Sequence, residues 1–174
     1  KMAEMFNSRI LHPEDHSLDK VELSSSEKAR FLLKDLDLLF ARTSVVPEGV
    51  GQCTIVQYVI GEVAFESNLI RVRLDTKQAD PKFYNYYFQS PDGRGQILAI
   101  ANGAAIRTIR GSDLKDVAVP APKLDVQKYI AAILSAYDDL IENNRRRIAL
   151  LEQAARLVYR EWFVHFPFPG HETA

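Results

Sequence analysis

"IENNRRRIALLEQAARLVYREWF", residues 141–163, decides the fold, because it reads as helix from end to end yet holds two asparagines and three arginines in mid-course. From Val126 to Val164 there is neither proline nor glycine, which allows about 58 Å of helix at 1.5 Å per residue. A seam with alternating steps of four and three residues runs through Ile130, Leu134, Tyr137, Ile141, Asn144, Ile148, Leu151, Ala155, Val158 and Trp162. Ile133, Leu140, Arg147 and Ala154 broaden that face. The pattern predicts packing against another long helix. Asn144 lowers the stability of such a pair but disfavours slipped registers, in which it would be buried without a partner. Arg145 and Arg146 fall outside the seam, on a face expected to be solvated. A domain of ~120 residues is only roughly 30 Å across, so the outer half of this helix needs a partner.

Working back along the chain, "DVAVPAPKLDVQ" (116–127) predicts a short strand, then a stiff Pro-Ala-Pro hinge, with Asp125 as the helix N-cap. "DLLFART" (37–43), "QCTIVQYVI" (52–60) and "NLIRVRL" (68–74) are β-branched or alternating and predict three strands. Pro47, Gly49 and Gly51 mark the turn between the first two. "DPKFYNYYFQ" (80–89) predicts a short helix whose Phe83, Tyr84, Tyr87 and Phe88 face a core, in preference to a platform for stacking bases. "GRGQILAIANGAAIRTIRGSDL" (93–114) predicts helix through "QILAIA", a break at Asn102-Gly103 and an extended segment. Between Gly93 and Ser112 it holds three arginines and no acid. Phosphate- or guanine-binding donors and a merely solvated connection are both open readings. "SSSEKARF" (24–31) is helix or loop. His12 and His16, separated by Pro13, predict a solvated turn in preference to a metal pair.

Composition narrows the function. The 174 residues are 47% hydrophobic and 26% charged, an ordinary globular balance sufficient for one core plus an appendage. Apolar runs are far shorter than the ~20 residues of a membrane span. The single cysteine, Cys53, and the lack of a signal segment at the first residues give the expectation of a cytoplasmic protein with no membrane partner. Net charge is −1, with 16 Lys+Arg against 16 Asp+Glu in residues 1–124 and 6 against 7 in the rest. The long helix is equally balanced, so it is no basic arm. Any DNA contact must come from local arrangement. Nothing resembles a glycine-rich cofactor loop, an Asn-Pro-Pro-Tyr amino-methylation site or an Asp…Glu-x-Lys nuclease cluster. His12, His16, His165 and His171 lie near the termini and form no evident dyad with Cys53. No catalytic or metal site is expected.

"LKDLDLLFARTS…GQCTIV", "SNLIRVRLD", "VAVPAPKLDVQKYIAAIL", "IENNRRRIALLEQAARLVYREWF" and "FPFPGHE" together resemble the specificity subunit of type I restriction–modification enzymes, in order from about Lys20 to the end. The carboxyl-terminal part is the most specific. The resemblance implies a non-catalytic target-recognition domain that reads one half of a bipartite site in double-stranded DNA. It also implies a long helix that spaces recognition domains and seats methyltransferase subunits, and through them the restriction subunit. S-adenosylmethionine would belong to the methyltransferase partner, so no cofactor is expected here. Three positions depart from the family's pattern. Leu36 stands where glycine is common, Ser44 follows Arg-Thr in place of glycine, and Val126-Gln127 replaces Glu-Gln.

The expected architecture is therefore α+β. A small mixed β-sheet recognition domain with short helices (1–122) precedes one long coiled-coil-type helix (123–165) and a tail (166–174). A full subunit would carry two of each, so this chain is expected to be a half-subunit or fragment lacking the opening strands of its domain, and to self-associate through the helix. By position, the DNA-facing candidates are Arg42, Thr43 and Ser44 in one turn and Asn102, Arg107 and Thr108 in another. Arg71 and Arg73 share a strand face and are expected to be salt-bridged in preference to touching phosphate.

Overall fold

The computed structural model describes residues 5, 9–13, 18–46, 48–103, 106–165 and 169–170. The chain divides into two compact units, Lys1–Ala131 and Ala132–Ala174.

The first unit is built on a four-stranded sheet of order β1-β4-β2-β5. Its strands are β1 (Ile10–Leu11), β2 (Leu38–Ala41), β4 (Cys53–Val56) and β5 (Leu69–Val72). β1 lies parallel to β4, whereas β2 runs antiparallel to both β4 and β5. Every residue of β2 and β4 is buried, so both faces of the sheet are covered. Alternation sorts them. Leu38, Phe40, Cys53 and Ile55 face a cluster with Phe83, Tyr84, Phe88 and Ile97, while Leu39, Val56 and Leu69 join Leu11 and Leu33 on the other side.

The helices follow their capping chemistry. α1 (Ser25–Phe31) carries a full capping box, with Ser24 Oγ accepting from the Glu27 amide and the Glu27 carboxylate accepting from the Ser24 amide. α2 (Pro81–Gln89) starts on Asp80, which accepts from the Phe83 amide, with proline in the first turn. Its Phe83, Tyr84 and Phe88 are buried in the core, and Phe40 meets Phe88 edge-on at 5.0 Å. α3 (Pro91–Ala99) begins earlier than "QILAIA" suggests, because Ser90 caps it and Pro91 fits its first turn. A further short helix, α4 (Gly111–Lys115), follows.

Three readings of the sequence are corrected. Residues 116–120 form no strand; Val117 and Val119 pack against the core from irregular backbone. β4 stops at Val56, and Tyr58 takes a left-handed φ of 56°. Asp125 is not the N-cap, since α5 (Leu124–Tyr159) already includes it. Of the histidines, His12 stacks on Tyr58 at 5.2 Å, and His16 lies outside the described residues.

The root of α5 belongs to the first unit. Gln127 is buried, its side-chain oxygen accepting from the Asp80 amide at 2.8 Å and its Nε2 donating to the Pro122 carbonyl at 2.7 Å. Ala131 is buried and Ile130 packs on the same core. Ile130, the first residue of the expected helix-pairing seam, is half-buried against the domain. Beyond it, Leu134, Tyr137, Ile141, Ile148, Leu151 and Val158 are exposed, and so is Asn144. The α-helix ends at Tyr159 and widens into a π-turn over Arg160–Val164, so Trp162 leaves the regular seam spacing.

Candidate nucleic-acid interface

At Arg42 the chain changes partners. The Arg42 amide donates to the Asn68 carbonyl at 2.8 Å, on the β5 side of the main sheet, while its carbonyl accepts from the Ile109 amide at 2.9 Å. The next two residues, β3 (Thr43–Ser44), then pair antiparallel with β6 (Arg107–Thr108) in a separate two-stranded ribbon. Thr43 lies opposite Thr108, and Ser44 opposite Arg107. Thr108 also bridges to Asn102, exchanging two backbone hydrogen bonds of 2.8 and 3.0 Å.

All six candidate residues, drawn from segments some sixty positions apart, thus gather in one ribbon and its turn. Directly opposed residues point to the same side of a pleated pair. Asn102, Thr108 and Thr43 accordingly form a polar row across three strands of chain. Arg107 is half-buried, while Arg42 and Asn102 are exposed. Ser44 differs from the others. It is nearly buried, and its hydroxyl accepts from the Val46 amide at 3.1 Å, which spends it on the turn.

The turn between Asn102 and Arg107 depends on glycine. Gly103 has φ +109°, and a Cβ there would collide with the Ile106 carbonyl oxygen. On the other side, Gly51 (φ +62°) donates to the Ala41 carbonyl and lies so close to Ile97 that a Cβ would overlap it. Arg94 of α3 reaches over to the Glu48 carbonyl at 3.1 Å and pins the loop that follows β3. Desolvation pulls the Arg94 guanidinium below its usual range. The ribbon tip carries exposed Val45, Val46 and Ile106.

The strand arginines have other employment. Arg73 forks onto the fully buried Asp37 carboxylate through Nε and an Nη, both at 2.6 Å. That carboxylate also raises the Arg73 pKa above its ordinary value, chiefly through these hydrogen bonds. Arg71 donates to the Leu32 carbonyl and lies over the Phe65 ring. Cys53 is buried beneath the helices, and desolvation pushes its thiol pKa well up, so it stays neutral. No cluster of three or more metal-ligating side chains occurs among the described residues. No helix among them is long and apolar enough to cross a membrane.

Comparison with known proteins places the chain among relatives. A family model described as the type I restriction modification DNA specificity domain matches residues 15–153. The type I restriction enzyme MjaIX specificity subunit of Methanocaldococcus jannaschii is 32% identical over 120 residues, covering 65% of this chain and 28% of that protein. The EcoKI specificity subunit of Escherichia coli is 32% identical over 139 residues, covering 77% of this chain and 30% of that protein. Among solved structures, the S subunit of a type I restriction–modification system from M. genitalium aligns with a TM-score of 0.48 at 21% identity, covering 90% of this chain and 37% of that one. The chain spans less than a third of the length of these two curated relatives.

Proposed function

This chain belongs to the type I restriction–modification DNA specificity family, and on that premise we propose that it reads one half of a bipartite site in duplex DNA without catalysing any reaction itself. The observation that carries the reading is the ribbon. A major groove admits a two-stranded β-ribbon, and base edges are read there by amide, hydroxyl and guanidinium groups. Thr43, Asn102 and Thr108 supply such groups on one side of the ribbon, and Arg107, opposite Ser44, lies on its other side. Arg107 is the candidate for bidentate contact with guanine, and Asn102 for adenine.

The recognition domain is taken as residues 1–122, the helix as 123–165 and the tail as 166–174. The helix acts as a ruler and a seat for methyltransferase subunits, which carry S-adenosylmethionine and connect to the restriction subunit. Its exposed Ile141, Ile148 and Leu151 pair with the helix of a second copy, so that two domains read a symmetric, interrupted site. Light scattering tests the pairing: a dimer abolished by Ile148→Lys supports it, and a wild-type monomer at every concentration removes it.

Selection from a random duplex library tests the reading itself. Enriched sequences are expected, with Arg107→Ala relaxing one position by about 1–3 kcal/mol. Absence of both enrichment and salt-sensitive retention would overturn it. The net charge of −1 favours a second reading, an assembly partner that binds DNA weakly. Retention of the complex's partners by a chain that releases DNA at low salt would select that one.

A further inference from the structure

Beside the ribbon lies a cleft of about 250 Å³ between α1, β5 and the start of α4, into which Arg30, Arg42 and Arg71 converge. Two phenylalanines order its cations. Phe31 and Phe65 meet edge-on at 5.4 Å, with the Arg30 guanidinium 5.2 Å from the Phe31 centroid and that of Arg71 5.6 Å from the Phe65 centroid. Such stacking holds a guanidinium in place without using its N–H donors. Arg71 spends a donor on the Leu32 carbonyl, and Arg42 spends one on the Ser67 carbonyl at 3.3 Å. Among the described residues no carboxylate lies within ion-pairing distance of any of the three, and none lines the cleft.

We infer that this cleft holds a DNA backbone phosphate, an assignment that rests on the DNA-reading function proposed above and extends it. Three guanidiniums without a counter-charge suit a phosphodiester, whose oxygens accept paired N–H donors. The cleft is smaller than the 300–1,000 Å³ typical of small-molecule sites, so it takes the phosphate group and not a whole nucleotide. Arg42 joins it to the ribbon, since its backbone carbonyl bonds to Ile109 just after β6 while its side chain lines the cleft. Arg42 therefore leaves the base-reading set. It sets the register of the ribbon on the duplex, because phosphate contacts position a reader and base contacts specify.

Phosphate contacts are independent of sequence, so a random duplex suffices as the probe. The affinity of the full 174-residue chain is measured against salt for wild type, Arg30→Ala, Arg42→Ala and Arg30→Lys. Each alanine variant is expected to flatten the slope of log K against log salt by about 1 and to weaken binding to all sequences alike. Arg30→Lys is expected to keep the slope. Gly111→Asp supplies a second test that spares the fold, because the nearest atom to an added Cβ there is Ile70 Cγ2 at 4.0 Å and an acid suits the first turn of a helix. It puts a carboxylate in the cleft and is expected to weaken binding at least as much as Arg30→Ala. Wild-type slopes in Arg30→Ala and Arg42→Ala, with DNA still bound, overturn the phosphate cleft alone. Failure of the wild-type chain to bind any duplex overturns the DNA reading and the cleft with it.

Discussion

Replacing Arg73 by alanine separates a structural arginine from a DNA-binding one. Asp37 is fully buried and receives three charge-assisted hydrogen bonds, two from Arg73 at 2.6 Å and one from the Lys34 amide at 2.7 Å. Its own amide and carbonyl are tied to Lys34 and Val56, so it cannot turn outward. Arg73→Ala leaves one donor for a buried charge, a loss of 3–5 kcal/mol where both partners are fully buried. Because the Arg73 side chain is 39% exposed, water can enter the space it vacates, which reduces the expected loss to about 2–3 kcal/mol. For a unit of this size the thermal midpoint falls by roughly 10 °C. Arg73→Lys keeps the charge but not the fork and is expected to lose about half as much. Urea unfolding followed on the β2 amides by NMR is the assay, since the single tryptophan, Trp162, belongs to the other unit. A change below about 0.5 kcal/mol, the range of ordinary surface substitutions, refutes the strut. So does a flattened DNA salt slope at unchanged stability.

Three other perturbations have equally definite outcomes. Gln127→Ala strips partners from the Asp80 amide and the Pro122 carbonyl and is expected to cost about 2 kcal/mol, read as a lower urea midpoint of the first unit. Gly103→Ala forces a Cβ onto the Ile106 carbonyl, so the Thr108 amide should lose exchange protection by about 1–3 kcal/mol while the β2 amides keep theirs. Hydrogen bonds from Ser24 hold the Glu27 carboxyl below its usual pKa of 4.5, so its support of α1 is complete above that value and is lost as pH falls through the lowered folded-state pKa. Protection of the Ser24 amide, taken relative to its intrinsic exchange rate at each pH, should fall in the wild type down this range, and Glu27→Gln should remove the dependence.

Elements with local signals were legible in the sequence. Strands β2, β4 and β5, the Asp-Pro start of α2 and the unbroken run of α5 all declare themselves through alternation, capping or the absence of breakers. What was not legible depends on distant partners. β1 is two residues inside a polar segment and exists because β4 offers a parallel edge. The Val117 and Val119 segment looks like a strand, but its alternation serves packing against the core without a ladder. The candidate site residues lie in two separate turns of the sequence, and only the pairing of Thr43 with Thr108 brings Thr43, Asn102 and Thr108 into one row. The burial of Ser44 had no local signature, whereas Leu36 did. Its φ is +68°, a conformation glycine adopts without strain, at a position where the resemblance implied glycine.

The arrangement of arginines reconciles a net charge of −1 with the proposed DNA-facing surface. Net charge governs long-range attraction, but counterion release depends on which cations are free to meet phosphate. In the first unit two arginines are committed internally: Arg73 to the Asp37 carboxylate and Arg94 to the Glu48 carbonyl. Among the described residues, no acid forms an ion pair with Arg30, Arg42, Arg107 or Arg110. Two of these line the cleft, one lies in β6 and one caps α4 two residues beyond it. Four arginines without an ion pair among the described residues thus lie in or beside a single ribbon. On the proposed DNA-reading function, a protein so arranged would have little long-range pull on DNA and would gain most of its contact once the ribbon is seated. Its association rate should consequently respond weakly to salt, and its dissociation rate strongly.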